Sequence, residues 1–316
     1  MTEPSGRQVV VVIVKASFTI QSGGRAALAD AQAPVRANEV PYDLERPWSS
    51  LRYPSDLCPA KRGTDIVVVG EAVSRRPVVV MDVAVRARDL TAPLRVHGPR
   101  VYYKGVLQVS VGPAAPFERV PLVYELSYGG ATADLGVIEG QNPAGLGVAR
   151  SPADLVGTRA PQIEHPAHPI TTAADRPAPA GYGAIAAHWS PRRERAGTFD
   201  ERWREERMPL MPADFDVRHY SVAHPALTLE DPLAPGDPVA ALGLTPEGVL
   251  SFEAPALRVV LWARFDGGPP VRVRPSIDTL LLEPGERRVE IVARQAFPIG
   301  RGLRVLRELG VDLDDG

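Results

Sequence analysis

The chain has 316 residues, of which 44% are apolar, and its 36 basic residues nearly balance its 38 acidic residues. A chain of this size can bury a large core, and its balanced charge excludes a protein that binds nucleic acid mainly by neutralising phosphates. The only cysteine is Cys58, which excludes an intrachain disulfide and a cysteine-based zinc cluster. The apolar run at residues 9–14 ends at Lys15 and is too short to span a bilayer or to form the core of a signal peptide. We therefore expect a cytoplasmic protein with no membrane partner.

The first 130 residues predict antiparallel β-structure. Every even position from Val10 to Ile20 is apolar, which is the period of a strand with one buried face. Valine-rich segments that alternate with glycine, proline and charged turns predict four more strands. These strands are expected at residues 65–73, 77–87, 100–109 and 121–128.

The middle of the chain, residues 131–225, predicts an ordered region of loops. The chain has 33 prolines, and 14 of them lie between Gln141 and Ala240, where their missing N–H groups oppose an extensive sheet. Disordered segments are poor in aromatic residues. This region instead contains Tyr182, Trp189, Phe199, Trp203, Phe215 and Tyr220 at irregular spacings. Long ordered loops are usually functional.

One short helix is predicted within the loops, at residues 199–207. Thr198 and Glu201 have the spacing of a capping box, in which each side chain receives an N–H group at the start of the helix. Phe199 and Trp203 are four positions apart, so the helix would place both rings on one face.

The last part of the chain returns to strands and turns. Strands are expected at residues 249–254, 257–265, 271–274, 279–283 and 288–293, and a terminal helix at 302–309. Many short strands favour a mainly β fold of antiparallel, β-sandwich-like sheets, with a long ordered loop region rich in proline and glycine and few short helices. We predict three regions in one composite domain: 1–130, 131–225 and 226–316. The two β regions could share a sheet, because chain ends often meet in space.

The sequence predicts no catalytic residue, cofactor or metal ion. It has no nucleophile elbow, phosphate-binding loop or dinucleotide-binding fingerprint, and its six histidines lack the helical spacing of a zinc site. Asp200, Asp214 and Asp216 could form an acid pair or a cation site, but turn capping and the solvation of an edge explain the last two without any chemistry. The alternative function is a hydrolase or carbohydrate-active enzyme that uses Asp200, Asp214 or Glu164.

A succession of short motifs, each common on its own, extends from about Val9 to Ala293. Its members are Lys15-Ala16-Ser17-Phe18, Pro54-Ser55-Asp56-Leu57-Cys58-Pro59, Gly63-Thr64-Asp65, Tyr128-Gly129-Gly130, Asn142-Pro143 with Gly145 and Gly147, Ile163-Glu164, Pro179-Ala180-Gly181-Tyr182-Gly183, Trp189 with Pro191-Arg192, Gly197-Thr198-Phe199-Asp200 with Trp203, Pro209 with Pro212, Asp214-Phe215-Asp216, and Asp278-Thr279. In this order they resemble a bacterial family of unknown function that is found beside type VI secretion genes. Members of that family look like adaptors or chaperones for secreted toxins.

The resemblance implies a cytoplasmic, non-enzymatic protein that binds a toxic effector and delivers it to the valine-glycine-repeat spike of a contractile injection machine. The chain departs from the family pattern at Gly98-Pro99-Arg100, where the family tends to have Gly-Asp-Arg, and at Ala293-Arg294, where it has Trp-Arg. A structural component of the injection particle is a further alternative.

We predict a partner-binding surface on the aromatic loops, because aromatic residues and arginine dominate interface energies. Its residues are Trp189, Arg192, Phe199, Asp200, Trp203, Asp214 and Phe215. The alternative is that the aromatic side chains join the two β regions in a core. In that case Trp203→Ala would cost about 3–5 kcal/mol of stability.

Overall fold

The structure is a computed structural model that describes residues 6–46, 48–299 and 305–314. The strands in chain order are β1 (Val9–Ile20), β2 (Ala26–Leu28), β3 (Val40–Pro41), β4 (Leu51–Tyr53), β5 (Thr64–Val68), β6 (Glu71–Val78), β7 (Val80–Ala87), β8 (Leu90–His97), β9 (Tyr102–Lys104), β10 (Val109–Val111), β11 (Phe117–Pro121), β12 (Tyr128–Gly129), β13 (Leu146–Gly147), β14 (Ile163–Glu164), β15 (Thr228–Leu229), β16 (Pro238–Leu242), β17 (Val249–Glu253), β18 (Val259–Phe265), β19 (Val271–Val273), β20 (Ile277–Glu283), β21 (Arg288–Pro298) and β22 (Leu306–Leu313). The α-helix α1 spans Glu201–Glu206, and 3-10 turns lie at Tyr124–Leu126, Pro152–Leu155, Arg193–Ala196, Val217–Tyr220, Pro225–Leu227 and Pro284–Glu286. The prediction of a mainly β fold with few short helices is confirmed.

The largest sheet has six strands in the order β15-β5-β20-β21-β1-β2. β1 pairs antiparallel with β21 from Val9 to Thr19, so strands from the two ends of the chain are neighbours in one sheet, as expected. The register gives this sheet two different faces, because successive residues of a strand point to opposite sides. Ala16 and Phe18 lie opposite Ile291 and Val289 on the apolar face.

A second sheet, in the order β14-β8-β7-β16-β17, is antiparallel throughout. Its inward side chains, such as Val85 and Leu94, belong to the same buried cluster as Phe18 and Ile66 of the first sheet. Burial of this much apolar surface between two sheets is the main stabilising contribution to the fold. Trp189, from the loop region, also lies in this cluster.

A third sheet, β19-β18-β22, packs on the end of the first. Leu261 and Ala263 of β18 form a small cluster with Phe297 of β21, and Val12 and Val14 of β1 pack against it. The amino-terminal half of β1 and the carboxyl-terminal half of β21 therefore form a two-stranded ribbon that one face of the third sheet covers.

The other face of the six-stranded sheet carries buried charges. Lys15 of β1 is 2.9 Å from Asp56 and 3.1 Å from Glu290, and Arg36 forms a bidentate pair with Glu290 at 2.6 and 2.9 Å. Arg294 pairs in the same way with a carboxylate of β20, Asp278. Residues 32–61 cover this face and supply several of the charged partners. Because an unpaired buried charge is very costly, the geometry of this layer must be maintained for the chain to fold.

Several predicted elements were wrong. The proposed strand at 121–128 contains the 3-10 turn Tyr124–Leu126, whose alternating burial resembles a strand although Leu126 N–H bonds back to Val123 O. The segment 100–109 is a hairpin, because Gly105 N–H bonds to Gln108 O at 2.9 Å and closes a turn. Of the predicted terminal helix, residues 302–304 lie outside the described residues, and 306–309 form part of strand β22.

Two strands were missed because each contains a proline. Pro93 lies within β8, at a position where the β14 side of the strand has no pairing, since β14 pairs only with Arg95 and Val96. Pro238 is the first residue of β16. Both are positions where a strand can accept the missing N–H group of proline.

Replacing Glu290 by alanine should destabilise the protein by about 3–5 kcal/mol, because Lys15 and Arg36 would lose a buried counter-charge. The control is Glu308→Ala, which removes an exposed partner of Arg264 and should cost about 1 kcal/mol or less. Urea denaturation at neutral pH measures both. Equal losses of unfolding free energy in the two variants would contradict a stabilising role for the buried charges around Glu290.

The stability should also fall in acid. Burial pushes the pKa of Glu290 upward, but the hydrogen bond from Arg36 and the charge of Lys15 outweigh it and hold the pKa below its usual value. A depressed carboxylate pKa stabilises the folded state above the unfolded value of about 4.3, and this contribution is lost as the pH falls through the lower folded value. Glu290→Gln should therefore lose less unfolding free energy than the wild type between pH 5 and pH 3. An identical decrease in both proteins would show that Glu290 does not contribute.

Candidate interaction surface

The seven residues of the predicted partner-binding surface lie in two different environments. Trp189 and Arg192 are buried in the protein. Phe199, Asp200, Trp203 and Asp214 lie on one largely exposed segment, and Phe215 is half-buried near its end.

Trp189 is a core residue, with 0% of its surface exposed. Its ring meets Tyr124 edge to face at 5.7 Å between centroids, and its indole N–H lies 3.0 Å from His188 Nε2. For Trp189, the alternative to a partner-binding role applies, because its ring packs in the core between the β regions. It leaves no surface on this side chain for a partner.

Arg192 connects two parts of the loop region to each other and to the segment that contains Glu39. Its guanidinium donates to Ile185 O at 2.6 Å and to His219 O at 2.8 Å, and it pairs with Glu39 at 3.2 Å. Burial lowers the pKa of Arg192, and the nearby carboxylate of Glu39 opposes that shift. These contacts use the side chain to hold loops in place.

We call residues 197–216 the arm. At its base, Asp216 N–H donates to Arg195 O at 3.0 Å, and the amide and hydroxyl of Thr198 donate to the two carboxylate oxygens of Asp214 at 3.0 and 2.8 Å. Gly197 has φ of 83°, and a Cβ there would lie 2.7 Å from Pro212. Glycine is therefore required where the arm begins.

The helix α1 forms the outer part of the arm, but its cap differs from the prediction. The Asp200 side chain accepts the N–H of Trp203 at 2.8 Å and caps the helix, whereas Thr198 bonds to Asp214. Aspartate is as good an N-cap as threonine, so the sequence allowed either residue. This shift of the N-cap by two residues leaves Thr198 outside the helix, at the base of the arm.

Aromatic packing and hydrogen bonds make the arm rigid. Phe199 and Trp203 meet edge to face at 4.8 Å between centroids, although Phe199 precedes the N-cap and lies outside α1, not on its face as predicted. The indole N–H of Trp203 donates to Leu210 O at 2.9 Å, and the Arg207 guanidinium donates to Met211 O at 3.0 Å. The returning chain is thus attached to the helix.

The arm nevertheless exposes apolar surface. Phe199 is 53% exposed and Met208 is 61% exposed. A cleft of about 470 Å³ lies beside the helix. It is lined by Thr198, Asp200, Arg202, Trp203, Glu206, Arg207, Ala213 and Asp214. An ordered segment that presents exposed aromatic and methionine side chains next to charged ones has the composition of a protein interface.

The carboxylates considered for catalysis all have structural partners. Hydrogen bonds from the Thr198 amide and hydroxyl lower the pKa of Asp214, and the Arg218 side chain lowers the pKa of Asp216 to about 2. Asp216 also caps the 3-10 turn that follows it, so the predicted turn capping is confirmed for Asp216. Asp214 instead bonds to Thr198, 16 positions away. Asp200 caps α1.

Glu164, the fourth candidate, is buried in an ion pair. His97 Nε2 lies 2.9 Å from one oxygen, and Arg100 donates to the other at 2.7 Å, which also accepts the Ile170 N–H. Burial raises the pKa of Glu164, but the hydrogen bonds from His97 and Arg100 outweigh that effect and leave the pKa below its usual value. Such an ionised, fully bonded carboxylate is not placed to transfer a proton.

The hairpin tip between β9 and β10 is a second exposed apolar site, which sequence reasoning missed. Val106 and Leu107 are fully exposed there, and Tyr103 of β9 is half-exposed. Tyr102 anchors the base of the hairpin, because its side chain is buried in a cluster with Leu155. The signal was present in the sequence as two aliphatic residues between Gly105 and a polar residue, but it was interpreted as part of a long strand.

Within residues 6–46, 48–299 and 305–314, no three His, Cys, Asp or Glu side chains are grouped so that they could hold a metal ion. The part of the chain that the structure describes also has no helix long and apolar enough to cross a bilayer.

A sequence profile for DUF2169, described as an uncharacterized protein conserved in bacteria, matches residues 5–294. The chain belongs to this family. The DUF2169 match includes the arm and the hairpin tip, and it ends before β22. No curated protein and no solved structure matches this DUF2169 chain.

Trp189→Ala and Phe199→Ala should separate the two environments. The first substitution should cost about 3–5 kcal/mol because it opens a cavity in the core. The second should cost about 1 kcal/mol or less, because Phe199 is exposed. Urea denaturation followed by circular dichroism measures both, and similar losses would contradict the division of the predicted surface.

Proposed function

We propose that this DUF2169 protein is a non-enzymatic adaptor or chaperone of the bacterial cytoplasm. It binds a toxic effector and loads it onto the valine-glycine-repeat spike of a type VI secretion machine. The observation that carries the proposal is the arm, a segment whose own hydrogen bonds make it rigid while Phe199 and Met208 remain exposed. A segment that is already held by its own hydrogen bonds loses less backbone entropy on binding, which favours recognition of another protein.

The hairpin tip gives further support. An adaptor must contact both its cargo and the machine that receives it, which requires two recognition surfaces on one protein. The arm and the hairpin tip are separate segments, and each exposes apolar side chains from a base that is anchored in the fold. The order of the sequence motifs from Lys15 to Thr279 supports the connection to type VI secretion.

The carboxylates that an enzyme would use are engaged in the structure. Asp214 holds the base of the arm, Asp200 caps α1, and both oxygens of Glu164 accept hydrogen bonds from within the protein. This arrangement favours the adaptor over the hydrolase or carbohydrate-active enzyme.

The proposal is tested by affinity purification of the tagged protein from its own cells, with mass spectrometry of the recovered proteins. We expect a spike protein together with a toxin. Recovery of neither would overturn the proposal. Stoichiometric presence of the protein in purified injection particles would instead indicate a structural component.

Substitution of both Phe199 and Met208 by serine should reduce the recovered toxin or spike by about tenfold, which corresponds to the loss of one well-packed contact. The matched control is Val249→Ser, which removes an exposed apolar side chain from β17. Both proteins should unfold at nearly the same urea concentration as the wild type. Unchanged recovery of both partners with the double variant would remove the arm from the proposal.

A further inference from the structure

The two edges of β1 are paired to very different extents. One edge pairs with β21 from Val9 to Thr19. The other pairs with β2 only from Phe18 to Ile20, and Gln32 and Ala29 extend this pairing to the main chain of Ser17. Among the described residues, no strand pairs with this second edge from Val11 to Lys15.

The hydrogen-bond pattern shows which main-chain groups face the uncovered edge. Gln8 O accepts from Ile299 N–H and Ile20 N–H donates to Arg287 O, so the even-numbered residues bond toward β21. The main chain of Ser17 bonds in the opposite direction, to Gln32 and Ala29. Because this direction alternates along an antiparallel strand, the N–H and C=O groups of Val11, Ile13 and Lys15 point to the open edge. Among the described residues these groups have no hydrogen-bond partner.

These main-chain groups are accessible. The side chain of Lys15 is only 1% exposed, because it turns inward to Asp56 and Glu290, yet the residue as a whole is half-buried. Its accessible surface therefore belongs to the main chain. Proteins commonly protect an edge of this kind with an outward lysine, a proline or a bulge. Here the lysine is used in the ionic layer, and the preceding residues are valine and isoleucine.

The layer above the ribbon is wider than the ribbon. Val12 and Val14 pack against Leu261 and Ala263 at the centre of the third sheet. On that same face, Leu309, Val311 and Leu313 of β22 lie opposite Ala263, Leu261 and Val259, and all three remain exposed. Val271 of β19 is also exposed. The third sheet has three strands and the ribbon has two, so the inward side chains at the flanks of the third sheet remain exposed.

We propose that the open edge of β1 at Val11–Lys15 is a strand-addition site for an extended segment of a partner protein. The segment would pair its main chain with Val11 and Ile13, and its alternate apolar side chains would lie under the third sheet. This is the β-augmentation mode, in which main-chain bonds give affinity and alternate side chains give specificity. The residues of this site belong to a different segment of the chain from the arm and the hairpin tip. The proposal applies to any partner protein with such an extended segment.

A single strand fits this edge better than a second copy of the chain. β2 and Gln32 bound the open edge at its carboxyl-terminal end, and Val9 at the other end is fully buried. The five residues of Val11–Lys15 span about 17 Å at about 3.4 Å per residue. Residues 33–36 lie on one side of the edge through contacts with Ser17 and Glu290, and the third sheet lies on the other. Two whole subunits joined only here would bury less than the roughly 1,000 Å² that a stable interface needs. One extended segment fits between the two layers.

The test uses a soluble synthetic peptide of alternating valine and threonine with a lysine at each end. Hydrogen exchange of the full-length protein is measured by mass spectrometry with and without this peptide at millimolar concentration. We expect exchange at Val11, Ile13 and Lys15 to slow by about tenfold or more, because exchange of a bonded amide requires opening. Unchanged exchange at these amides would overturn the proposal.

Variants of the protein and the peptide identify the contact. Ile13→Pro removes one outward N–H group while leaving the pairing with β21 intact, so the peptide should bind about tenfold more weakly. Ile13→Val keeps the N–H group and should bind normally. Methylation of the peptide nitrogens that face β1 should abolish binding, whereas methylation of the alternate nitrogens should not. Because the peptide variants do not alter the protein, they decide the question even if Ile13→Pro fails to fold.

Sedimentation of the protein alone tests whether a second copy of the chain occupies the edge. We expect a monomer. A dimer that Ile13→Pro converts to a monomer would show that a second copy occupies the edge, and would overturn the proposal of a foreign strand. If the purification from cells recovers no type VI partner, that result contradicts only the proposed function. The peptide experiment uses none of those partners and therefore tests the strand-addition site independently.

Discussion

The fold depends on how the six-stranded sheet buries both of its faces. One face is apolar and packs on the second sheet, whereas the other carries Lys15, Glu290 and Arg294 beneath residues 32–61. Buried charges are tolerated only when they are paired with good geometry. The pairs connect segments far apart in the chain, since Arg36 and Glu290 are separated by 254 positions. The covering segment can therefore occupy this face only when β1, β20 and β21 are already in register.

The strands of the two ends were largely predictable because their alternation reflects burial on one face. The same alternation led to the wrong prediction of a strand at 121–128, where a 3-10 turn buries Tyr124 and Leu126 at the spacing of a strand. Proline concealed β8 and β16, although Pro93 and Pro238 occupy positions where no ladder N–H is needed. A strand tolerates proline where no neighbouring strand needs its N–H group. The neighbours of a strand are known only once the sheet is assembled, so the sequence alone does not identify these positions.

The candidate surface was predictable in part for a similar reason. Phe199 and Trp203 have helical spacing, so their contact could be inferred from local sequence. Trp189 and Trp203 both lie in the proline-rich middle region, and no periodicity distinguishes the one in the core from the one on the arm. Burial in a loop is decided by long-range packing against residues such as Tyr124, which local sequence does not encode.

The closed base of the arm has a consequence for how this protein could change. The Thr198–Asp214 and Arg195–Asp216 contacts fasten the entry and exit of the arm to each other, and the bonds of Trp203 and Arg207 remain inside it. The two sheets are therefore shielded from variation beyond Thr198. A different helix grafted onto the same base would change the surface that the arm presents while the scaffold folds as before, so this surface and the fold can evolve as separate modules.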